Sequence, residues 1–227
     1  MSNLYNTQRK LAEGISGWLI FEFHCMRGDL FSEKYLATPT GQILTSLFDG
    51  RVKAEQNHPS LIKKAKTVGR PAQIDFVALD ENGNWDIAIE TKWITRSPIT
   101  LTQIIWDLIR LELLLHNKKC NKCYFVISGF NKKFDILRST HFHPDSANPK
   151  LITERKNVTI KMNLKKLPAT VKGGINKRLA KYESLKIPTA LYFSIPHSYP
   201  STSINMTFKT IVWEVKYNKK QQRIQML

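Results

Sequence analysis

The spacing of apolar and polar positions divides the chain into three blocks. From about Asn6 to Phe48, apolar residues recur at helical intervals (Leu11, Ile15, Trp18, Leu19, Phe23). A second run from Leu30 to Leu47 is interrupted at Pro39, so this block predicts helices with a break at the proline. From about Gln73 to Phe130 the pattern reads strand, turn, strand, helix, strand. Gln73 to Leu79 and Trp85 to Trp93 are rich in β-branched and aromatic residues, Leu101 to His116 has the apolar density of a mostly buried helix, and Cys123 to Ser128 closes the block as a strand. From about His141 onward, short β-like runs (Val158 to Leu164, Thr189 to Ile195, Thr207 to Tyr217) surround a basic helical stretch, Ile175 to Tyr182. The expected fold is mixed α/β, a central mixed sheet flanked by helices. Its core spans residues 1–140, and residues 141–227 form a basic, β-rich α+β extension packed on that core. No repeat, low-complexity tract or linker marks a boundary between the two.

A chain of 227 residues with 42% hydrophobic positions can bury one large core. It has no uninterrupted apolar run long enough to span a bilayer, and its polar start is followed only by Trp18 to Phe23, broken by Glu22; no signal peptide or membrane segment is expected. Three cysteines, an odd and small number, point to a reducing cytoplasm rather than a disulfide framework. Cys120-Asn-Lys-Cys123 supplies two zinc ligands and no second pair completes the set. Charge is more telling. Thirty-five Lys and Arg against 18 Asp and Glu leave a net +17, a field that draws polyanions, of which nucleic acid is the commonest in cytoplasm. Positive residues cluster at Lys63, Lys64, Lys66 and Arg70, and again at Lys165, Lys166, Lys172, Lys177 and Arg178, where they are candidates for phosphate contacts. DNA is the expected partner, and RNA fits the same charge.

The chemistry concentrates between Arg70 and Trp93. Asn82-Gly83 is a strong hairpin signal, and a two-residue loop there would set Glu81 opposite Asn84 and Asp75 opposite Glu90. On that register the two carboxylates share one face of the hairpin with Cβ atoms about 5 Å apart. Lys92 joins them by strand parity, while Ile87, Ile89, Thr91 and Trp93 form the opposite, apolar face of a half-buried strand. Two like charges side by side destabilise a strand pair unless a cation bridges them, and hard oxygen donors favour Mg²⁺, with Mn²⁺ as a substitute.

In these residues the chain resembles the PD-(D/E)XK, restriction-endonuclease-like, nucleases, whose signature is an acidic residue, a hairpin, then (D/E)-X-K on the next strand. Asp75, Glu90 and Lys92 match it, with Ile87-Ala88-Ile89 as the hydrophobic run before the glutamate; Ile74-Asp75 replaces the usual Pro-Asp. The likeness extends over roughly Leu30 to Ser128. It implies a restriction-endonuclease-like core and a Mg²⁺-dependent endonuclease in which Asp75 and Glu90 hold the metal and Lys92 assists the attacking water. Restriction or antiviral defence would be its setting, as a homodimer or as a subunit of a defence complex. It also implies a polar residue on the helix after the motif, where Gln103 stands, although Thr100-Leu-Thr-Gln103 is equally a capping box. A further acidic ligand from a preceding helix is implied too. Glu33 is favoured over Glu22 and Glu13 because it lies nearer the hairpin, although a glutamate after the capping Ser32 is also explained by the helix dipole. Asp107 and Arg110 read as an intrahelical or helix-to-sheet ion pair, and His141-Phe-His143 as loop chemistry. The competing readings are a non-catalytic binding or subunit-interaction module on the same fold, and an RNA-directed nuclease.

Overall fold

The computed structural model describes residues 7–64, 69–94, 100–134, 160–194, 196–200 and 207–227. Two helices open the chain, α1 (Thr7–His24) and α2 (Glu33–Leu47). The Ser32 side chain caps α2 by accepting the Tyr35 N–H at 3.2 Å. Pro39 does not break it. The proline lies inside the continuous helix with its ring buried, so packing of that ring offsets the one backbone bond it cannot make.

The hairpin strands are β2 (Gln73–Leu79) and β3 (Trp85–Ile94), preceded by an edge strand β1 (Val52–Asn57). β1 escapes the sequence pattern because it is polar and mostly exposed, as edge strands that resist further pairing tend to be. Helix α3 (Leu101–His116) returns the chain to β4 (Lys122–Phe130), which lies parallel to β3. Such a crossover packs its helix on the sheet, so α3 covers the face of β3 that carries Ala88, Glu90 and Ile94. The expectation of a half-buried β3 is therefore corrected: apart from Trp85, Asp86 and Lys92, which are partly exposed, the strand is buried on both faces.

The stretch after residue 141, expected as an extension, contributes strands to the same sheet. β5 (Ile160–Asn163), β7 (Ala190–Phe193), β8 (His197–Tyr199) and β9 (Phe208–Lys216) join β1 to β4 in the order β1-β2-β3-β4-β9-β7-β5, with β8 also on β9. A short helix, α4 (Ala169–Leu179), packs beside α3, and β6 (Ile187–Pro188) pairs with β10 (Arg223–Ile224) in a two-stranded ribbon. The result is three layers. Leu11, Ile15, Leu19, Leu36 and Leu44 of α1 and α2 pack on Phe76, Ile87, Ile89 and Trp93, while Ile104, Ile105, Leu108 and Ile109 of α3 pack on Ala88, Phe125, Ile127 and Trp213. No helix among the described residues is long and apolar enough to cross a membrane.

Candidate active site

The hairpin reaches its register by a route different from the two-residue turn. Asp80 and Asn84 close the loop: Asp80 N–H donates to Asn84 O (2.9 Å), and the Asp80 carboxylate accepts the N–H groups of Asn82 and Asn84. Gly83, at φ 80°, takes the left-handed position that this wider turn needs. The wider loop sets Leu79 opposite Trp85, and a register shift after Ala78 restores Ala78 opposite Ile87, Val77 opposite Ala88 and Phe76 opposite Ile89. The next position is Asp75 and Glu90, and there the backbone ladder stops. The Asp75 carboxylate takes over, with Oδ2 accepting the Thr91 backbone N–H (2.7 Å) and the Thr91 hydroxyl (2.9 Å). Thr91, the middle residue of the Glu-X-Lys motif, thus orients Asp75.

Glu90 is 1% exposed beneath α3. Its Oε1 lies 2.6 Å from Arg110 Nη2, and Arg110 Nη1 donates to Asp107 Oδ1 at 3.0 Å. Burial pushes the Glu90 carboxyl well above the usual range; Arg110 opposes this, and the nearby Asp107 and Asp75 carboxylates reinforce it. Lys92 Nζ sits 2.9 Å from Glu33 Oε1 and 3.3 Å from Asp107 Oδ2. Burial alone would lower the Lys92 pKa, but the Asp107 and Glu33 carboxylates outweigh it and hold the ammonium charged. One end of β3 therefore gathers Glu33 from α2, Asp75 from β2, Glu90 and Lys92 from β3, and Asp107 and Arg110 from α3.

Asp107 and Arg110 form both the intrahelical and the helix-to-sheet pair read from their spacing, and their contacts make them part of this cluster. Their spacing on α3 marked them as a pair; that the pair meets β3 depends on the crossover. Gln103 does not reach the cluster. It is exposed, and its Oε1 accepts from Thr100 N–H and Oγ1–H, completing the capping box. Glu22 is engaged elsewhere: Tyr35 Oη donates to it at 2.6 Å and Arg27 to both its oxygens at 3.0 Å, and these bonds hold its carboxyl below the usual range. It ties the end of α1 to α2. Glu13 pairs with Arg9 within α1.

Hard carboxylate oxygens suit Mg²⁺ or Mn²⁺, but here Glu90 Oε1 lies 2.6 Å from Arg110 Nη2 and Asp107 Oδ2 3.3 Å from Lys92 Nζ, so both are already ion-paired. Among the described residues no three His, Cys, Asp or Glu are arranged to hold a metal, and the Arg110 guanidinium stands among these carboxylates. Cys120 and Cys123 are buried free thiols.

The two basic clusters, about a hundred residues apart in sequence, meet in space. Residues 62–64 run antiparallel to 181–183, with Lys64 N–H donating to Lys181 O (3.0 Å) and Lys63 bridging Tyr182. Lys165 and Lys166 lead into α4, which carries Lys172, Lys177 and Arg178. Arg178 lies over the Trp106 ring at 5.9 Å, so this basic surface adjoins α3 one residue from Asp107. Lys64, Asn176, Tyr182 and Ser184 line a concavity of about 230 Å³ there. Arg70 is exposed, and Lys63 Nζ donates to its carbonyl. Lys66, His141 and His143 lie outside the described residues.

Compared with known protein families, characterised proteins and solved structures, the chain matches none.

Proposed function

We propose that this chain is a metal-dependent nuclease that hydrolyses DNA phosphodiester bonds, in keeping with its resemblance to the PD-(D/E)XK nucleases. The observation that carries the reading is the convergence of Glu33, Asp75, Glu90 and Lys92 from three separate elements at one end of β3. Asp75 and Glu90 would hold Mg²⁺, with Glu33 as the third acidic group, and the bound ion would polarise a phosphoryl oxygen and acidify a water. Lys92, ion-paired with Glu33 and Asp107, would orient the nucleophile and offset negative charge developing on the phosphate. Asp107 positions that ammonium. The joined basic surface beside α3 supports a polyanionic substrate, because phosphate neutralisation needs many cations on one face.

Plasmid cleavage in Mg²⁺ tests the reading. Wild type should nick or cut, while Asp75→Ala and Lys92→Ala should lose at least about a hundredfold in rate, the scale of one electrostatic or general acid–base contribution. Glu22→Gln should cut at the rate of wild type once shown to be folded, whereas Glu33→Gln should be impaired. Equal cutting by Asp75→Ala and wild type would end the assignment.

A further inference from the structure

Four of the six large apolar side chains exposed among the described residues fall within one ten-residue stretch: Phe21 (62% exposed), Phe23 (40%), Met26 (91%) and Leu30 (57%). Phe21 and Phe23 belong to the last turn of α1, Met26 to the turn that ends it, and Leu30 to the short 3-10 turn Gly28–Leu30 that leads to α2. Arg27 N–H donates to Glu22 O (3.1 Å) and Met26 N–H to Phe23 O (3.0 Å), closing α1 with Met26 at φ 62°, the left-handed position that helix ends ordinarily give to glycine. A methionine there strains the backbone and leaves its side chain in water, so neither local conformation nor packing accounts for it. The patch has a rigid mount. Phe23 and Phe31 each meet Phe208 edge-on (5.3 and 5.2 Å between ring centres), and Phe31 meets Trp93 at 5.7 Å. It borders the carboxylate cluster, because Leu30 lies three residues before Glu33, whose carboxylate touches Lys92.

At about 180 Å² per fully exposed side chain, the four present roughly 450 Å² of apolar surface, within the size range of functional patches on single proteins. One partner of a stable protein–protein interface contributes about 800 Å², so the patch is too small to hold a second protein by itself. It suits a few stacked bases. The net charge of +17 selects a polyanion, and exposed Arg27 and Lys34 border the patch. We infer that Phe21, Phe23, Met26 and Leu30 form a stacking platform for unpaired bases of DNA beside the candidate site, so that the preferred substrate carries single-stranded bases where it is cut. This rests on the nuclease reading above and names its substrate class. Bases of an intact duplex stack on one another and cannot reach such a surface, whereas those of a single strand, fork or bubble can. Aromatic and thioether side chains accept any base, so the platform selects strand state and not sequence.

Binding measured in EDTA separates the platform from cleavage. The probes are a fluorescein-labelled single strand of about 16 nucleotides, the upper site size of single-strand binders, and the blunt duplex of the same sequence, followed by anisotropy. Wild type should prefer the strand. Phe21→Ser and Met26→Ser, both surface changes, should each weaken strand binding about tenfold, the scale of one lost stacking contact, and leave duplex binding unchanged. Met26→Gly should weaken strand binding likewise while raising the melting temperature by roughly 2 °C, through relief of the left-handed backbone. A lowered melting temperature would make Met26 a structural residue and overturn its role. Unchanged strand affinity in the Phe21 and Met26 variants, or a wild type that prefers the duplex, overturns the inference and leaves the nuclease reading standing. If those variants convert a wild-type dimer to monomer with strand affinity intact, the occupant is a second copy and the inference falls. Wild type that prefers the strand through these residues yet never cuts in Mg²⁺ keeps the platform and ends the nuclease reading alone.

Discussion

Acidification should weaken the fold through a single histidine that braces α3. His58 is 5% exposed. Its Nε2 is 2.9 Å from the Arg110 carbonyl, and its Nδ1 accepts the Ser60 N–H at 3.1 Å. A carbonyl only accepts, so Nε2 carries the proton and Nδ1 has its lone pair in use: the ring is built to be neutral. Burial drives its pKa from 6.5 down to about 4, the Arg110 carbonyl hydrogen bond opposing and the Arg110 charge assisting. In the unfolded chain His58 titrates near its ordinary value, so the unfolded state binds the extra proton first. The stability this ring contributes is complete above about pH 6.5 and is lost as pH falls toward 4. The whole interval is worth about 3 kcal/mol, of which about 2 kcal/mol is already gone at pH 5. Urea unfolding at pH 7.5 and pH 5 reads this directly. His58→Gln keeps a donor for Arg110 O but cannot titrate, so it should be less stable than wild type at pH 7.5 and lose about 2 kcal/mol less on acidification. Identical losses in the two proteins would refute the assignment of a neutral, braced ring.

Glu112→Ala should cost about 3–5 kcal/mol in urea unfolding, because Arg223 is left charged in a buried place, and the double change Glu112→Leu with Arg223→Met should recover most of it. Thr91→Val removes the hydroxyl bond to Asp75 and keeps the backbone one, so cleavage should fall about tenfold for a stability loss of about 1 kcal/mol. Replacing Lys64 or Lys177 with Ala should flatten the salt dependence of DNA affinity by about one in log–log slope, whatever the DNA sequence; an unchanged slope removes that residue from the interface.

Much of the site is legible in local pattern and the rest waits on tertiary geometry. Parity places Asp75, Glu90 and Lys92 on one face, and the ladder keeps the expected register as far as Phe76 opposite Ile89, one position short of Asp75 and Glu90, although the turn is wider than the Asn-Gly signal suggests and a bulge makes up the difference. Local rules also explain Ser32 and Thr100 as caps. They could not say that capped Glu33 would stand against Lys92 while capped Gln103 would turn away, because that choice depends on how α2 and α3 dock. The break expected at Pro39 failed because burial of the ring outweighs a local propensity, and β1 went unseen because an edge strand needs no apolar alternation.

The place of β9 also bears on how the molecule is made. It is among the last strands synthesised, yet it fills the slot between β4 and β7, next to the strand that lies beside β3. Until it docks, β4 is a bare sheet edge whose outward N–H and C=O groups have no partner strand, an invitation to pair with another chain. Such long-range closure is slow, since loop entropy is lost before the contacts form. Ribosome-bound chains stopped before Phe208 should accordingly bind chaperones or aggregate, and the carboxylate cluster should take its final shape only after the ninth strand has left the exit tunnel.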